Sequence, residues 1–184
     1  MTLDERIIYK STFRRCSALW GIYLMREEPL VLTVTDSYIQ QNRGENITPN
    51  QRRIEDIEAM KVLGCPIVFG GIRDDIIDAW AVEELFYNFQ NFEKIYAPAP
   101  IVPNGNIHHN LIGETAIKIF GNRVMQYMTY STEQLYMPGS IEVIAKEGEE
   151  LLKELALQCY KSQINLPATS PHFEAVRGMS EWFI

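Results

Sequence analysis

The two adjacent histidines, His108 and His109, are the side chains in this sequence best suited to bind a metal ion or to polarise a carbonyl group. They follow Asn106 in a proline-rich segment, just ahead of a predicted helix over 111–120. A histidine pair in a loop also fits an ordinary hydrogen-bonded surface feature. The whole chain holds three histidines and three cysteines, so any imidazole or thiolate site must draw on few residues.

Carboxylates follow two of the predicted strands. Asp36 comes directly after the apolar run 30–35, which is typical of a central parallel strand, and Asp74 follows a short strand over 66–69 and a Gly-Gly pair. Open α/β sheets bind ligands at the carboxyl ends of their strands, so both are candidate substrate-binding residues. Each also fits a structural role as a helix cap, a turn residue or a solvated acid.

Two arginines stand in the first turns of a predicted helix that begins at Thr48-Pro49 and stops at Gly64. Arg52 and Arg53 are candidate substrate-binding residues, because the helix dipole disfavours cations at a helix start. The alternative is a solvated face with an intrahelical ion pair to Glu55, worth only about 0.2–0.5 kcal/mol.

Short β-rich runs alternate with stretches of helical period, and no flexible linker interrupts them. The predicted class is α/β, a Rossmann-like three-layer sandwich around a mostly parallel sheet of about five strands, with one domain over 1–184. The predicted strands are 6–9, 30–35, 66–69, 94–97 and 123–129, and the predicted helices are 13–26, 48–64, 80–92, 111–120 and 146–163.

Composition excludes several classes of function. Hydrophobic residues make up 46% and charged residues 22%, as in a soluble globular domain. The formal net charge of −7 argues against nonspecific nucleic-acid binding. No apolar run approaches the ~18 residues of a membrane span, and the acidic N-terminus is unlike a leader, so a cytoplasmic protein is expected. Three scattered cysteines fit reduced thiols.

Taken in chain order, these segments resemble the LmbE/PIG-L family of zinc-dependent de-N-acetylases, which includes N-acetylglucosaminyl-phosphatidylinositol deacetylase. The similarity lies in the order and spacing of several short motifs and covers nearly the whole chain. The matching pieces are the strand that ends in Thr35-Asp36, the helix pattern Arg52, Glu55, Ala59, Leu63 and Gly64, the loop acid Asp74, the segment 106–109 with Gly113, the segment 160–163 and the tail 181–183.

The resemblance implies hydrolysis of an N-acetyl group on a small-molecule amino-sugar conjugate. In that family zinc is held by two histidines and an aspartate, a neighbouring aspartate is the general base, and a further histidine stabilises the oxyanion. The spacing to Gly113 makes His109 the candidate zinc ligand. Asn106 stands at the position of the oxyanion histidine, so that catalytic role is either weakened or passed to His108, while Asn106 is a candidate substrate-binding residue.

The family's N-terminal His-Pro-Asp-Asp motif is replaced in this chain. Counting from the first strand places it over 12–15, where the sequence reads Thr-Phe-Arg-Arg. Arg15 is the candidate catalytic residue at this point, and the following Cys16 is a candidate zinc ligand as thiolate. Together with His109 this gives two ligands, where catalytic zinc sites normally have three. Tight binding of catalytic zinc is therefore not expected.

Two explanations of this replacement stay open. The chain is either a noncatalytic homologue that binds a sugar or nucleotide-sugar without zinc, or residues 10–22 differ from what the native gene encodes. Back-translation of 10–16 with a one-base slip allows Ser-Pro-His-Ser-Asp-Asp, which resembles the missing motif.

A nucleotide-binding Rossmann protein is a weaker alternative, because no Gly-x-Gly-x-x-Gly follows the first strand. The polar segment 36–50 could cover a pocket or contact another subunit. The sequence therefore leaves both a monomer and an oligomer possible.

Overall fold

A computed structural model of the protein describes residues 6–10, 22, 26–38, 47–100, 106–127, 141–164 and 181–183, with the strands 6–10 and 181–183 described as backbone. Within these residues one sheet has seven strands, which are β1 (Arg6–Lys10), β2 (Leu30–Asp36), β3 (Ile67–Arg73), β4 (Lys94–Pro98), β5 (Val124–Tyr127), β6 (Ile141–Val143) and β7 (Glu181–Phe183). Their order in the sheet is β3-β2-β1-β4-β5-β7-β6. The strands β1 to β5 pair in parallel, and β7 pairs antiparallel with both β5 and β6.

The described helices cover both faces of the sheet. They are α1 (Pro49–Leu63), α2 (Ala79–Tyr87), α3 (Ile107–Phe120), α4 (Glu149–Gln158) and α5 (Lys161–Ile164), with a 3-10 turn at Gly121–Arg123. The first three connect parallel strands, and the last two lie between β6 and β7. Two apolar clusters result, one between the sheet and α1 with α4, the other between the sheet and α2 with α3. This three-layer arrangement confirms the predicted α/β class, and the antiparallel end formed by β6 and β7 is an addition to the prediction.

Helix α1 has the boundaries that its sequence predicts. The Thr48 side chain accepts a hydrogen bond from the Gln51 amide, Pro49 occupies the first turn, and Gly64 ends the helix at a φ of 74°. A left-handed residue at this position favours glycine, because a Cβ there crowds the backbone. Two other helices differ from expectation: α2 ends at Tyr87 rather than residue 92, since the Asn88 amide group donates to carbonyls of the last turn, and the final helix is split into α4 and α5.

Strand β3 is longer than predicted and carries the chain through its glycine pair. A Cβ on Gly70 would lie 2.4 Å from Cδ2 of Leu85 and 2.8 Å from the carbonyl oxygen of Val34, so only glycine lets α2 pack this closely. Gly71 takes a φ of 73°, next to an irregularity in the pairing with β2. The strand ends at Arg73. The amide of the next residue, Asp74, donates a hydrogen bond to the carbonyl of Asp36 at 3.1 Å, which joins the ends of the two strands.

Part of the predicted machinery lies outside the described residues. This applies to Arg15, to Cys16 and to most of the predicted helix over 13–26. Among the helices that the structure describes, none is both long enough and apolar enough to span a bilayer.

Candidate functional site

Asp36 and Arg53 meet at the carboxyl end of β2. Nε of Arg53 donates to Oδ1 of Asp36 at 3.0 Å and Nη2 donates to Oδ2 at 2.7 Å, a two-point geometry that suits a guanidinium and a carboxylate. The aspartate side chain is 9% exposed and the arginine side chain is 43% exposed. The carboxylate is therefore largely buried at the end of the strand, and the guanidinium is partly in solvent. The Arg53 guanidinium also stacks on Phe69.

Asp74 lies beside this pair, one residue past the end of β3. It is buried, and its Oδ1 accepts a 2.7 Å hydrogen bond from the backbone amide of Tyr38. The ring of Tyr38 lies against the guanidinium of Arg73, which in turn makes a two-point pair with Asp75. These contacts hold the chain that leaves β2 against the chain that leaves β3, so the two strand ends form one wall of the site.

The first turn of α3 carries both histidines, which corrects the expectation that they lie in a loop before a helix starting at 111. Asn106 is the N-cap, and its side-chain oxygen accepts from the amides of His108 at 2.9 Å and His109 at 3.3 Å. A cap of this kind stabilises a helix by about 1 kcal/mol. Asn106 thus has a structural role in addition to its predicted one in substrate binding.

Gly113 fixes the position of this helix on the sheet. A Cβ at residue 113 would lie 2.1 Å from the carbonyl oxygen of Pro98, at the carboxyl end of β4. The glycine in the His-x-x-x-Gly pattern therefore has a steric function, because it brings the first turns of α3 onto the strand end. His109, one helical turn earlier, is carried to the same edge.

Burial keeps both imidazoles neutral at pH 7. His109 is fully buried, and burial together with the charge of His108 lowers its pKa to about 3. Burial also lowers the pKa of His108, while the charge of Asp74 opposes that shift. The charge of Asp74 therefore acts on His108, and a neutral imidazole is the form that can bind a metal or donate one N–H to a carbonyl.

Arg52 is directed away from Asp36 and belongs to a buried polar network between α1 and α5. Its Nη1 donates to Glu55 Oε2 at 2.7 Å, and both side chains are at most 6% exposed. Glu55 also accepts from the amide and hydroxyl of Ser162, both at 2.7 Å. Tyr160 stacks under the guanidinium and donates to Asp56 at 2.9 Å. The predicted alternative of an ion pair with Glu55 is confirmed, although the pair is buried rather than solvated.

The carboxyl edge of the sheet therefore brings together five of the predicted site residues: Asp36, Arg53, Asp74, His108 and His109. Within the described part of the chain, no group of three or more His, Cys, Asp or Glu side chains is arranged to hold a metal ion. These residues alone do not fit a three-ligand zinc site. The Arg53–Asp36 pairing and the Tyr160–Asp56 hydrogen bond were missed by sequence reasoning, since neither pair has a characteristic spacing.

The fold is shared with solved deacetylases. A triple mutant of the Orf2 deacetylase of the teicoplanin biosynthetic pathway is 17% identical, with a TM-score of 0.70 over 97% of this chain and 96% of that chain. The A40926 pseudoaglycone deacetylase Dbv21 is 16% identical, with a TM-score of 0.69 over 98% and 96% of the two chains. A zinc inhibited form of Orf2 also matches, at 15% identity and a TM-score of 0.69 over 97% of this chain and 96% of that chain.

The same fold also carries another reaction. The 4-carboxy-2-hydroxymuconate hydratase GalB from Pseudomonas putida KT2440 is 16% identical, with a TM-score of 0.53 over 97% of this chain and 94% of that chain. No protein-family model and no curated protein sequence matches. Structural similarity at this level of identity establishes the fold, and the reaction has to be argued from the site.

Proposed function

We propose that the protein is a hydrolase of the de-N-acetylase type that acts on an N-acetylated amino sugar or sugar conjugate. The observation that carries this proposal is the first turn of α3, where Gly113 seats two buried neutral histidines at the strand ends beside Asp74. The order of sequence motifs and the fold shared with antibiotic deacetylases support it, and they support membership of the LmbE/PIG-L family.

In the proposed reaction, water adds to the acetamide carbonyl carbon and the C–N bond breaks, which gives acetate and an amine. His108, neutral and next to Asp74, would donate an N–H to the carbonyl oxygen as negative charge develops there. The Asp36–Arg53 pair and Asp74 offer acceptors and donors for sugar hydroxyls. Asn106 would act mainly by holding the histidine turn in place.

Zinc is the cofactor that the family resemblance implies, and it would supply an activated water and a Lewis acid. Among the described residues His109 is the candidate ligand, and the other candidate, Cys16, lies outside them together with Arg15. Because the described donors do not complete a zinc site, no catalytic step is assigned to the metal.

The test is acetate release by the purified full chain, with and without added zinc, from N-acetylglucosamine and its glycosides. We expect the full chain to release acetate and His109→Gln to release none. The zinc content of the protein, measured by mass spectrometry, should also be lower in His109→Gln. Ile144→Ser, a change at an exposed residue after β6, is the control and should behave as the parent chain. No acetate from any of these substrates, with zinc present and the protein folded, would overturn the proposal.

A noncatalytic sugar-binding protein is the second candidate, favoured by the sequence Thr-Phe-Arg-Arg at 12–15, which has neither a base nor a metal ligand. It predicts that calorimetry in EDTA detects binding of N-acetylglucosamine conjugates while no acetate appears. The codons of residues 10–22 provide a separate test. If the shifted frame reads His-x-Asp-Asp, the chain with that reading should bind more zinc and release more acetate than the chain as printed.

A further inference from the structure

A cavity of about 310 Å³ opens at the amino edge of the sheet, opposite the edge that carries the candidate site. It lies where β4 and β5 begin, since Lys94 and Val124 are the first residues of these parallel strands. The residues that line it are Glu93, Lys94, Asn122, Arg123, Val124 and Met125. The volume is at the lower end of the ~300–1,000 Å³ range of small-molecule pockets. A ligand of this cavity is therefore small and separate from the candidate site.

Arg123 is held in the cavity wall by neutral acceptors. Its Nη1 donates to the carbonyl oxygens of Gln90 at 2.6 Å and Phe92 at 2.8 Å, and its Nε donates to that of Phe120 at 3.4 Å. The guanidinium also lies over the ring of Phe120, 5.4 Å from its centroid. These contacts orient the guanidinium without neutralising its charge. The two N–H groups of Nη2 are left with no acceptor among the described residues.

Arg123 also lacks a counter-charge, unlike the other arginines whose side chains the structure describes. In each of those, a guanidinium nitrogen lies 2.7 Å from a carboxylate oxygen. They are Arg26, Arg52, Arg53 and Arg73. Arg123 is therefore a fixed cation that can still pair with a carboxylate from outside the described chain.

A second unpaired charge, of opposite sign, lines the same cavity. Glu93 is exposed and forms no ion pair with Arg123 or with any other residue in the described ranges. Lys94 changes this balance little, because its Nζ lies 4.0 Å from Oε2 of Glu27. An anionic ligand would be repelled by Glu93, and a cationic ligand by Arg123. The lining therefore suits a ligand that carries both charges.

We propose that this cavity binds an α-amino acid with an apolar side chain. The ligand carboxylate accepts from Nη2 of Arg123, and the ligand ammonium donates to the carboxylate of Glu93. The half-buried side chains of Val124 and Met125 offer apolar contact, and the exposed amide of Asn122 can bond to either charged group. The inference goes beyond the proposed function and does not depend on it, because the two sites lie at opposite edges of the sheet.

Calorimetry with the full chain tests the inference, using L-leucine and two analogues that each lack one charge. Isocaproate lacks the ammonium group, and isopentylamine lacks the carboxylate. L-Leucine should bind at least about tenfold more tightly than either analogue, because each charged hydrogen bond contributes enough for that factor. In Glu93→Gln, a change at an exposed residue that should leave the fold intact, the advantage over isocaproate should disappear. In Arg123→Gln, once thermal unfolding shows that it is folded, the advantage over isopentylamine should disappear.

Glu58→Gln is the matched control, because Glu58 is an exposed glutamate that does not line the cavity. It should keep the full preference for L-leucine. Amide chemical shifts should change on addition of L-leucine at residues 93–94 and 122–125. The inference is wrong if L-leucine does not bind, if it binds no better than the analogues, or if Glu58→Gln loses the preference as Glu93→Gln does. None of these results bears on the proposed function, which acetate release tests separately.

Discussion

Arg53 and Asp36 satisfy each other through two parallel hydrogen bonds, of 3.0 and 2.7 Å, at the point where β2 ends. Both residues are candidate substrate-binding residues, so the ligand-free site already holds its charged groups in a fixed arrangement. A sugar hydroxyl can contact the outer edges of this pair without breaking it, because the Arg53 side chain is 43% exposed. The pair is therefore a preorganised part of the site.

Arg53→Gln should lower the free energy of unfolding by about 1 kcal/mol, since it leaves the largely buried Asp36 carboxylate without its two-point partner. Solvent screening of the half-exposed guanidinium limits this loss. Urea denaturation measures the free energy of unfolding of the variant and of the parent chain. Arg73→Gln is the comparison, because Arg73 makes the same type of pair with the more exposed Asp75, and its change should be clearly smaller. Equal losses in both variants would contradict the importance of burial.

Glu55→Gln should be much more destabilising, by about 3 kcal/mol, because Arg52 is left as a buried cation without a counter-charge. Ser162→Ala should cost only about 1 kcal/mol, since Glu55 keeps its bonds to Arg52 and to the Ser162 amide. Glu58→Gln, at an exposed residue of the same helix, is the control and should be neutral. Urea denaturation measures the free energy of unfolding of each variant. Equal values in all three variants would show that the buried pair of Arg52 and Glu55 does not stabilise the fold.

The sequence was sufficient to predict α1 and β2, because a Thr48 cap, a Gly64 stop and a strand of apolar and β-branched residues are local signals. It also placed Asp36 and Asp74 at strand ends, and the structure puts them at neighbouring strand ends. The missed features have different origins. The helical start at Ile107 depends on a local contact, the Asn106 cap, whereas the continuation of β3 through Gly70 depends on a tertiary contact, the approach of Leu85.

Gly113→Ala should separate α3 from β4 and lower stability by about 2–3 kcal/mol, because the new methyl group would overlap a backbone oxygen that has no rotamer to move to. Gly64→Ala is the matched control. It meets no atom within 4 Å, so it should cost only about 1 kcal/mol through its positive φ. Thermal unfolding compares the two. Under the proposed function, acetate release should fall in Gly113→Ala and survive in Gly64→Ala, and the reverse order would disprove the steric role of Gly113.

His109 should make the metal-free protein acid-labile. Its pKa is about 3 in the folded chain against 6.5 when exposed, so protons bind the unfolded state preferentially between these values. The stability that this neutral histidine contributes is complete above pH 6.5 and is lost as the pH falls, at about 1.4 kcal/mol per pH unit. Urea denaturation in EDTA should therefore show a loss of about 2 kcal/mol between pH 7 and pH 5 from this residue. His109→Gln should remove that part of the slope, and His108→Gln a smaller part, because Asp74 opposes the lowering of the His108 pKa. A slope unchanged in His109→Gln would show that the imidazole is not held neutral by burial.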